Sequence, residues 1–86
     1  MKVVRKYVLD VAQKQTIAMP MGCQKLCIRL QNGMPTLWVL VDEEAPLTDY
    51  VFCILFTGET TPLDDFWTYI DTCQLDNGIV LHVFYV

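Results

Sequence analysis

The chain has 86 residues, 53% of them hydrophobic, and a formal net charge of −4. This length allows one domain, over residues 1–86, and leaves no room for a second. The longest apolar runs, 51–56 and 79–86, are far shorter than the ~20 residues of a membrane-spanning helix, and the excess of acidic residues argues against general nucleic-acid binding.

Turn residues divide the chain into runs rich in Val, Ile, Leu, Thr and aromatic residues, the composition typical of β-strands. These runs predict strands at 2–11, 14–19, 23–31, 34–42, 49–57, 67–75 and 79–86. The one helix-compatible piece is a short turn at Pro62–Trp67, where a proline precedes acidic residues. We therefore expect an all-β fold, a small antiparallel barrel or sandwich of about six to seven strands.

The dipeptide Asn32-Gly33 predicts the first hairpin, because a type I′ turn needs a positive φ at both positions. A two-residue loop pairs Gln31 with Met34, and the register that follows separates an apolar face from a mixed face. The apolar face pairs Leu30 with Pro35, Ile28 with Leu37, Leu26 with Val39, and Gln24 with Val41. The mixed face pairs Arg29 with Thr36, Cys27 with Trp38, Lys25 with Leu40, and Cys23 with Asp42.

Asp76-Asn77-Gly78 predicts a second hairpin with a three-residue loop and Gly78 in the left-handed conformation. A two-residue Asn77-Gly78 turn would scatter the apolar residues over both faces, which favours the longer loop. The strands at 49–57 and 79–86 are apolar on both sides, as in a barrel, a sandwich interior or a subunit interface. The predicted hairpin pairs Leu75 with Ile79, Cys73 with Leu81, Asp71 with Val83, and Tyr69 with Tyr85.

Side chains that commonly carry out catalysis are few. His82 is the only histidine, and the predicted register places it beside Thr72, where a structural role is expected. No nucleophile elbow, phosphate loop or metalloprotease motif is present, so we expect a protein that is not an enzyme and has no cofactor. The spacing of Cys23 and Cys27 is not that of a zinc site, so we expect no metal and free thiols.

Free thiols are typical of a reducing compartment. Residues 1–10 carry scattered charges instead of the continuous apolar stretch of a signal peptide. Both features predict a cytoplasmic protein.

The clearest candidate binding surface is the mixed face of the first hairpin. There Lys25 and Arg29 are diagonal to Trp38, within cation–π reach, and such a group can stack a nucleobase or anchor a protein partner. The alternative is that another strand, such as the N-terminal one, covers Trp38. The acidic loops are a second candidate surface, or simply keep an apolar protein soluble. Their residues are Glu43, Glu44, Asp49, Glu59, Asp64 and Asp65.

Several short strings occur along the chain: Ile17-Ala-Met-Pro-Met-Gly22, Gln31-Asn-Gly-Met-Pro35, Leu37-Trp-Val-Leu-Val-Asp42, Tyr69-Ile70 and His82-Val-Phe84. In these strings, and over nearly its whole length, the chain resembles a family of short phage and prophage proteins that has no assigned function. Asp71 stands where that family has Gly after Tyr-Ile, a difference that we expect to change only a bulge. The resemblance implies a compact β fold and a phage or prophage gene product, located in the cytoplasm of an infected or lysogenic bacterium.

Two hypotheses for the function follow. The first is a non-catalytic binding protein, either an inhibitor of a host defence component or a sponge for its nucleotide signal, so that the partner is a host protein or a small nucleotide. The second is a structural or assembly homo-oligomer of a phage particle, which would use the strands that are apolar on both sides. An enzyme that uses His82 ranks third.

Overall fold

The computed structural model describes residues 1–61 and 63–86. The described residues contain the seven expected strands, with somewhat different ends, and no helix long and apolar enough to cross a membrane. Pro62 of the predicted short turn lies outside the described residues, and Asp65 and Phe66 form a turn. The strands are β1 (Lys2–Val8), β2 (Lys14–Pro20), β3 (Gln24–Gln31), β4 (Met34–Asp42), β5 (Leu47–Phe56), β6 (Thr68–Gln74) and β7 (Val80–Tyr85).

The strands form two antiparallel sheets that pack face to face. One sheet has the order β1-β4-β3 and the other the order β2-β5-β7-β6. Among the described residues, no strand pairing joins one sheet to the other. Of the two predicted architectures, the protein therefore has the sandwich and not the closed barrel.

One apolar core fills the space between the sheets. Alternate residues of a strand point to opposite sides, so every second residue of the central strands reaches this core. The fully buried members include Ile28, Leu37, Val39, Val41, Phe52, Ile54, Leu81 and Val83. Burying these side chains away from water is the main favourable contribution to folding.

The predicted burial of β5 on both sides is confirmed. Cys53 and Leu55 point away from the core, yet they are only 1% and 7% exposed. Trp67 lies on this side, since its ring is 5.9 Å from the Nζ of Lys14, the residue that pairs with Cys53. The second apolar side of β5 is thus covered within the same chain.

The first hairpin turns at Asn32-Gly33, with φ values of 51° and 78°, as predicted. The predicted pairs are confirmed from Gln31 with Met34 to Cys27 with Trp38. A β-bulge at Leu26 then shifts the register, so that Lys25 pairs with Val39 and Gln24 with Leu40. An extra residue in one strand reverses the side on which every residue beyond it lies. The predicted pairs of Leu26 with Val39, Lys25 with Leu40, Gln24 with Val41, and Cys23 with Asp42 are therefore wrong.

The second hairpin has the predicted loop. Gly78 has a φ of 90°, and the backbone N–H of Leu75 donates to the carbonyl of Ile79 at 2.8 Å. A second bulge, at Ile70, interrupts the pairing of β6 with β7. Tyr69 consequently pairs with Phe84, so its predicted pairing with Tyr85 is wrong. The predicted pairs of Cys73 with Leu81 and Asp71 with Val83 are confirmed.

The edge strands β3 and β6 lie side by side at one edge of the sandwich. Asp71 of β6 links them, because its Oδ2 accepts hydrogen bonds from the backbone N–H of Ile28 at 2.9 Å and from Arg29 Nη1 at 2.8 Å. The carboxylate thus satisfies a β3 backbone group that faces away from β4. At this edge a side chain takes the place of strand pairing between the sheets.

Candidate binding face

The outward surface of the β1-β4-β3 sheet, which we call the tryptophan face, has Trp38 at its centre. Leu37 and Val39 point into the core, so Trp38 between them points outward. In antiparallel pairs, residues that oppose each other share a side of the sheet. The side chains on this face are Lys2, Val4, Lys6 and Val8 of β1, Met34, Thr36, Trp38, Leu40 and Asp42 of β4, and Gln24, Cys27, Arg29 and Gln31 of β3.

Trp38 is half-buried by its neighbours on the face. The N-terminal strand β1 does not lie over Trp38 but beside it in the same sheet, where Lys6 pairs with Trp38. The alternative in which this strand covers Trp38 is therefore wrong. Val4 and Val8 are 49% and 57% exposed, so the face is open to solvent on its β1 side.

Two cations on either side of β4 are held in place by hydrogen bonds. The Lys6 ammonium reaches across β4 and donates to Gln31 Oε1 at 2.7 Å. The Arg29 guanidinium donates to Asp71 Oδ2 at 2.8 Å and to the carbonyl of Ile28 at 2.7 Å. Cations fixed on the two strands that flank Trp38 form a surface that suits an anionic group next to an apolar or aromatic one.

The electrostatic environment of Asp71 matters because this residue positions Arg29. Burial raises the pKa of the Asp71 carboxyl, but hydrogen bonds from the Ile28 and Thr72 backbone N–H groups and from Arg29 outweigh it. The net pKa of this carboxyl is lower than its ordinary value. The Arg29–Asp71 ion pair is therefore intact at neutral pH.

Lys25 does not lie on the tryptophan face, contrary to the prediction. The bulge at Leu26 turns Lys25 to the other side of the sheet, where its Nζ lies 3.6 Å from the ring centroid of Tyr50 and 4.0 Å from that of Tyr85. Burial lowers the pKa of the Lys25 ammonium, and the nearby Cys23 thiol opposes that shift. Of the predicted trio, Trp38 and Arg29 lie on the same side of the sheet, where the Arg29 guanidinium bonds to Asp71, and Lys25 lies on the other side.

Sequence reasoning missed Lys2 and Lys6 as members of this face. The signal was the alternation in β1, where Lys2, Val4 and Lys6 share one side. The strand that pairs with β1 is more than 25 residues away along the chain, as in the pair of Lys6 with Trp38. Alternation within β1 alone does not identify that partner.

The predicted acidic residues do not form one surface. Glu43 and Glu44 precede β5, Asp49 lies within β5 rather than in a loop, and Glu59 follows β5. A strand of ten residues is roughly 30 Å long, so the two acidic loops lie at opposite ends of β5. Asp64 and Asp65 belong to the same connection as Glu59.

Several of the acids have local partners. The Arg5 guanidinium donates to Glu43 Oε1 at 2.7 Å. The Glu59 carboxylate accepts from the backbone N–H of Phe56 at 3.0 Å, which stabilises the turn after β5. These contacts give Glu43 and Glu59 structural roles.

His82 lies in a chain of hydroxyl groups on the outward side of the β2-β5-β7-β6 sheet. Its Nε2 is 2.7 Å from Thr57 Oγ1, and its Nδ1 is 3.0 Å from Thr72 Oγ1. The predicted position of His82 beside Thr72 is confirmed. The Tyr69 hydroxyl continues the chain at 2.7 Å from Thr72. Both ring nitrogens thus have partners, and the arrangement ties β5, β7 and β6 together.

The thiols do not supply a metal centre in the part of the chain that the structure describes. Cys53 is buried, while Cys23, Cys27 and Cys73 are half-buried, and all four are free. Among residues 1–61 and 63–86, no three His, Cys, Asp or Glu side chains are grouped as metal ligands. The tryptophan face is therefore the strongest candidate site in the described residues.

Comparison with known proteins gives a family but no function. No curated protein and no solved structure matches the chain. A family model described as a domain of unknown function, DUF7352, matches residues 1–86. The chain belongs to the DUF7352 family.

Proposed function

We propose that the chain is a small non-catalytic binding protein of phage or prophage type, which inhibits a component of host defence by docking on it through the tryptophan face. The observation that carries this proposal is the position of Trp38 on an open sheet surface, with Lys6 opposite it on β1 and Arg29 diagonal to it on β3. Tryptophan and arginine are the residues most enriched at the energetic centres of protein interfaces. The resemblance to short phage proteins supports the biological setting, the cytoplasm of an infected or lysogenic bacterium.

A protein partner fits the face better than a small nucleotide does. Sites for small ligands are concave and enclose most of the ligand. Trp38 instead lies on the outward surface of a three-stranded sheet, with exposed Val4 and Val8 on the neighbouring strand. A surface of this shape favours an extended contact with another protein, and a nucleotide sponge remains an outcome of the test.

The absence of catalysis is supported by the surroundings of His82. A general base needs a ring nitrogen that can reach a substrate proton. Both nitrogens of His82 already contact threonine hydroxyls, Thr57 on one side and Thr72 on the other. The hydrogen-bond chain has a sufficient structural role in joining three strands.

The assembly hypothesis loses one of its reasons. Its basis was the pair of strands that are apolar on both sides. In β5 the second side, with Cys53 and Leu55, is buried by the chain itself. That feature therefore requires no second copy.

The test is a comparison of proteins captured from a bacterial lysate by three immobilised forms: the unmodified chain, Trp38→Ala and Phe66→Ala. Phe66 is exposed in the β5–β6 connection and is the matched control for losing an exposed aromatic ring. We expect one enriched protein with the unmodified chain and with Phe66→Ala, and about tenfold less with Trp38→Ala, a loss of about 1.4 kcal/mol.

Equal capture by all three forms would contradict the proposal. A thermal-shift screen against cyclic and linear oligonucleotide signals separates the sponge from the inhibitor. A Trp38-dependent shift with one of these nucleotides, together with no enriched protein, would replace the inhibitor by the sponge.

A further inference from the structure

The free edge of β1 presents backbone groups that have no partner among the described residues. The Leu9 N–H donates to the carbonyl of Pro35 at 2.9 Å, so Leu9 belongs to a hydrogen-bonded pair with β4. Such pairs alternate along an antiparallel ladder. The N–H and C=O groups of Val4, Lys6 and Val8 therefore point away from β4, at the outer edge of the sheet.

Two other edges of the sandwich are closed or interrupted. The Ile28 N–H of β3, which also faces outward, donates to Asp71 of β6. After β2, the Met21 N–H donates to the Pro46 carbonyl at 2.8 Å. The backbone of the preceding residue, Pro20, therefore faces away from β5, and proline has no N–H to offer there. Proline at an outward position is a common means of blocking an edge strand. The β1 edge has neither device.

A cavity of about 270 Å³ lies beside the β1 edge, between the two sheets. Its lining is apolar at Tyr7 of β1, Val41 of β4, and Pro20 and Leu47 of the opposite sheet, and charged at Arg5, Lys6 and Glu43. Val41 and Pro20 are buried, whereas Leu47 is 68% exposed. Sites for whole ligands usually start at about 300 Å³, so a space of this size better fits a single large side chain.

The charge of β1 selects the partner. Lys2, Arg5 and Lys6 lie in this one strand of seven residues. Arg5 is paired with Glu43 at 2.7 Å, whereas Lys2 and Lys6 have no ion-pair partner among the described residues. Pairing of β1 with β1 of a second copy would bring two such sets of cations together, and like charges across a strand pair are destabilising. An acidic strand meets the opposite charge at the same edge.

We propose that the β1 edge and the adjoining cavity bind an extended acidic segment of a partner protein. The segment adds to the sheet as a strand next to β1 and inserts one large apolar side chain between Tyr7 and Leu47. In this mode of recognition, main-chain hydrogen bonds supply affinity and a side-chain pocket supplies specificity. The site shares Val4 and Lys6 with the tryptophan face but does not use Trp38, and the inference stands without the function proposed above.

The test is selection of a random heptapeptide display library on the immobilised full chain. We expect enriched peptides to carry acidic residues around one Phe, Leu or Met, and to bind Val4→Pro and Leu47→Asp at least about tenfold more weakly. Val4→Pro removes an outward N–H and keeps the β1–β4 bonds. The control for Val4→Pro is Thr16→Pro, because Thr16 is an outward position of the edge strand β2. The control for Leu47→Asp is Leu26→Asp, because Leu26 is an exposed leucine on β3. Both control variants should bind the peptides as the unmodified chain does.

Three results would overturn the inference: no enrichment, enrichment of basic peptides, or binding that Val4→Pro and Leu47→Asp leave unchanged. Circular dichroism of each variant identifies any that fails to fold. If Val4→Pro does not fold, the comparison of Leu47→Asp with its control Leu26→Asp decides whether the peptides bind at this edge. A concentration-dependent dimer that Val4→Pro abolishes would show that the occupant is a second copy and would overturn the acidic partner.

Discussion

The carboxylate of Asp71 performs two tasks at the β3–β6 edge. It accepts the outward N–H of Ile28, which has no strand to pair with on that side, and it holds the Arg29 guanidinium at the rim of the tryptophan face. A buried donor that loses its acceptor costs about 1–3 kcal/mol. Asp71 therefore contributes both to stability and to the arrangement of the candidate site.

We predict that Asp71→Asn lowers the free energy of unfolding by about 1 kcal/mol at neutral pH, because the amide oxygen still accepts the Ile28 N–H but the negative charge that strengthens these hydrogen bonds is lost. The folded-state pKa of Asp71 is below its ordinary value, so its contribution is present above the unfolded-state pKa and disappears as the pH falls through the folded-state pKa. The difference between variant and unmodified chain should therefore shrink in acid. Urea unfolding across this range measures it.

Asp10→Asn is the control for this experiment, since Asp10 is exposed and its hydrogen bonds with Gln15 use its backbone groups. It should leave the unfolding free energy unchanged at every pH. A pH-independent loss in Asp71→Asn would mean that the ionised carboxylate is not what stabilises this edge.

At the scale of the element, the bulge in β3 decides which cation accompanies Trp38. With regular pairing, Lys25 would lie on the tryptophan face. Because Leu26 is an extra residue, Lys25 lies on the opposite side of the sheet and packs against Tyr50 and Tyr85. Cation–π contact with two rings offsets part of the cost of burying the ammonium group. The gain in that contact is a physical reason for the bulge.

We predict that deletion of Leu26 is tolerated, with a change in unfolding free energy within about 1 kcal/mol. The deletion removes the unpaired residue and leaves Lys25 opposite Val39. Deletion of Leu40 in β4 is the contrasting variant, because it reverses the sides of Val41 and Asp42 and should prevent folding. If the Leu26 deletion is as damaging as the Leu40 deletion, the bulged register is incorrect.

The sequence predicted the strands and both turns because these depend on local signals, such as the Asn32-Gly33 dipeptide. The alternating pattern did not predict the bulges, since Leu26 and Ile70 satisfy it whether or not they are paired; only the family resemblance implied a bulge beside Asp71. Contacts between distant strands were also out of reach. Asp71 lies 43 residues from Ile28, and nothing within either strand identifies the other as its partner.

The candidate site was predictable to the same extent. Trp38 and Arg29 belong to one hairpin whose first pairs follow from its turn, so their proximity could be predicted. Lys6 reaches the face only through the pairing of β1 with β4, and Lys25 leaves it through the bulge. The pairing of β1 with β4 and the bulge at Leu26 cannot be read from the alternation within a single strand.

At the scale of the whole molecule, one copy buries only part of the apolar excess of the chain, since Val8, Leu47 and Phe66 are 57%, 68% and 80% exposed. The core occupies the space between the sheets, and Trp67 lies on the outer side of β5 near Cys53. The cations of β1 oppose pairing with β1 of another copy.

We therefore predict a monomer at tens of micromolar and moderate salt, measured by light scattering. The control is the same measurement at high salt, where screening weakens the repulsion between β1 strands and should increase any association. A stable oligomer under both conditions would favour the assembly hypothesis.

The most direct test of the binding function is photo-crosslinking in bacterial cells, with a photoreactive phenylalanine analogue placed at position 38 or, as the control, at position 66. The tryptophan face predicts one specific adduct with another protein at position 38, and none of the same mass at position 66. No specific adduct at position 38, or the same adduct at both positions, would contradict a partner that docks on Trp38.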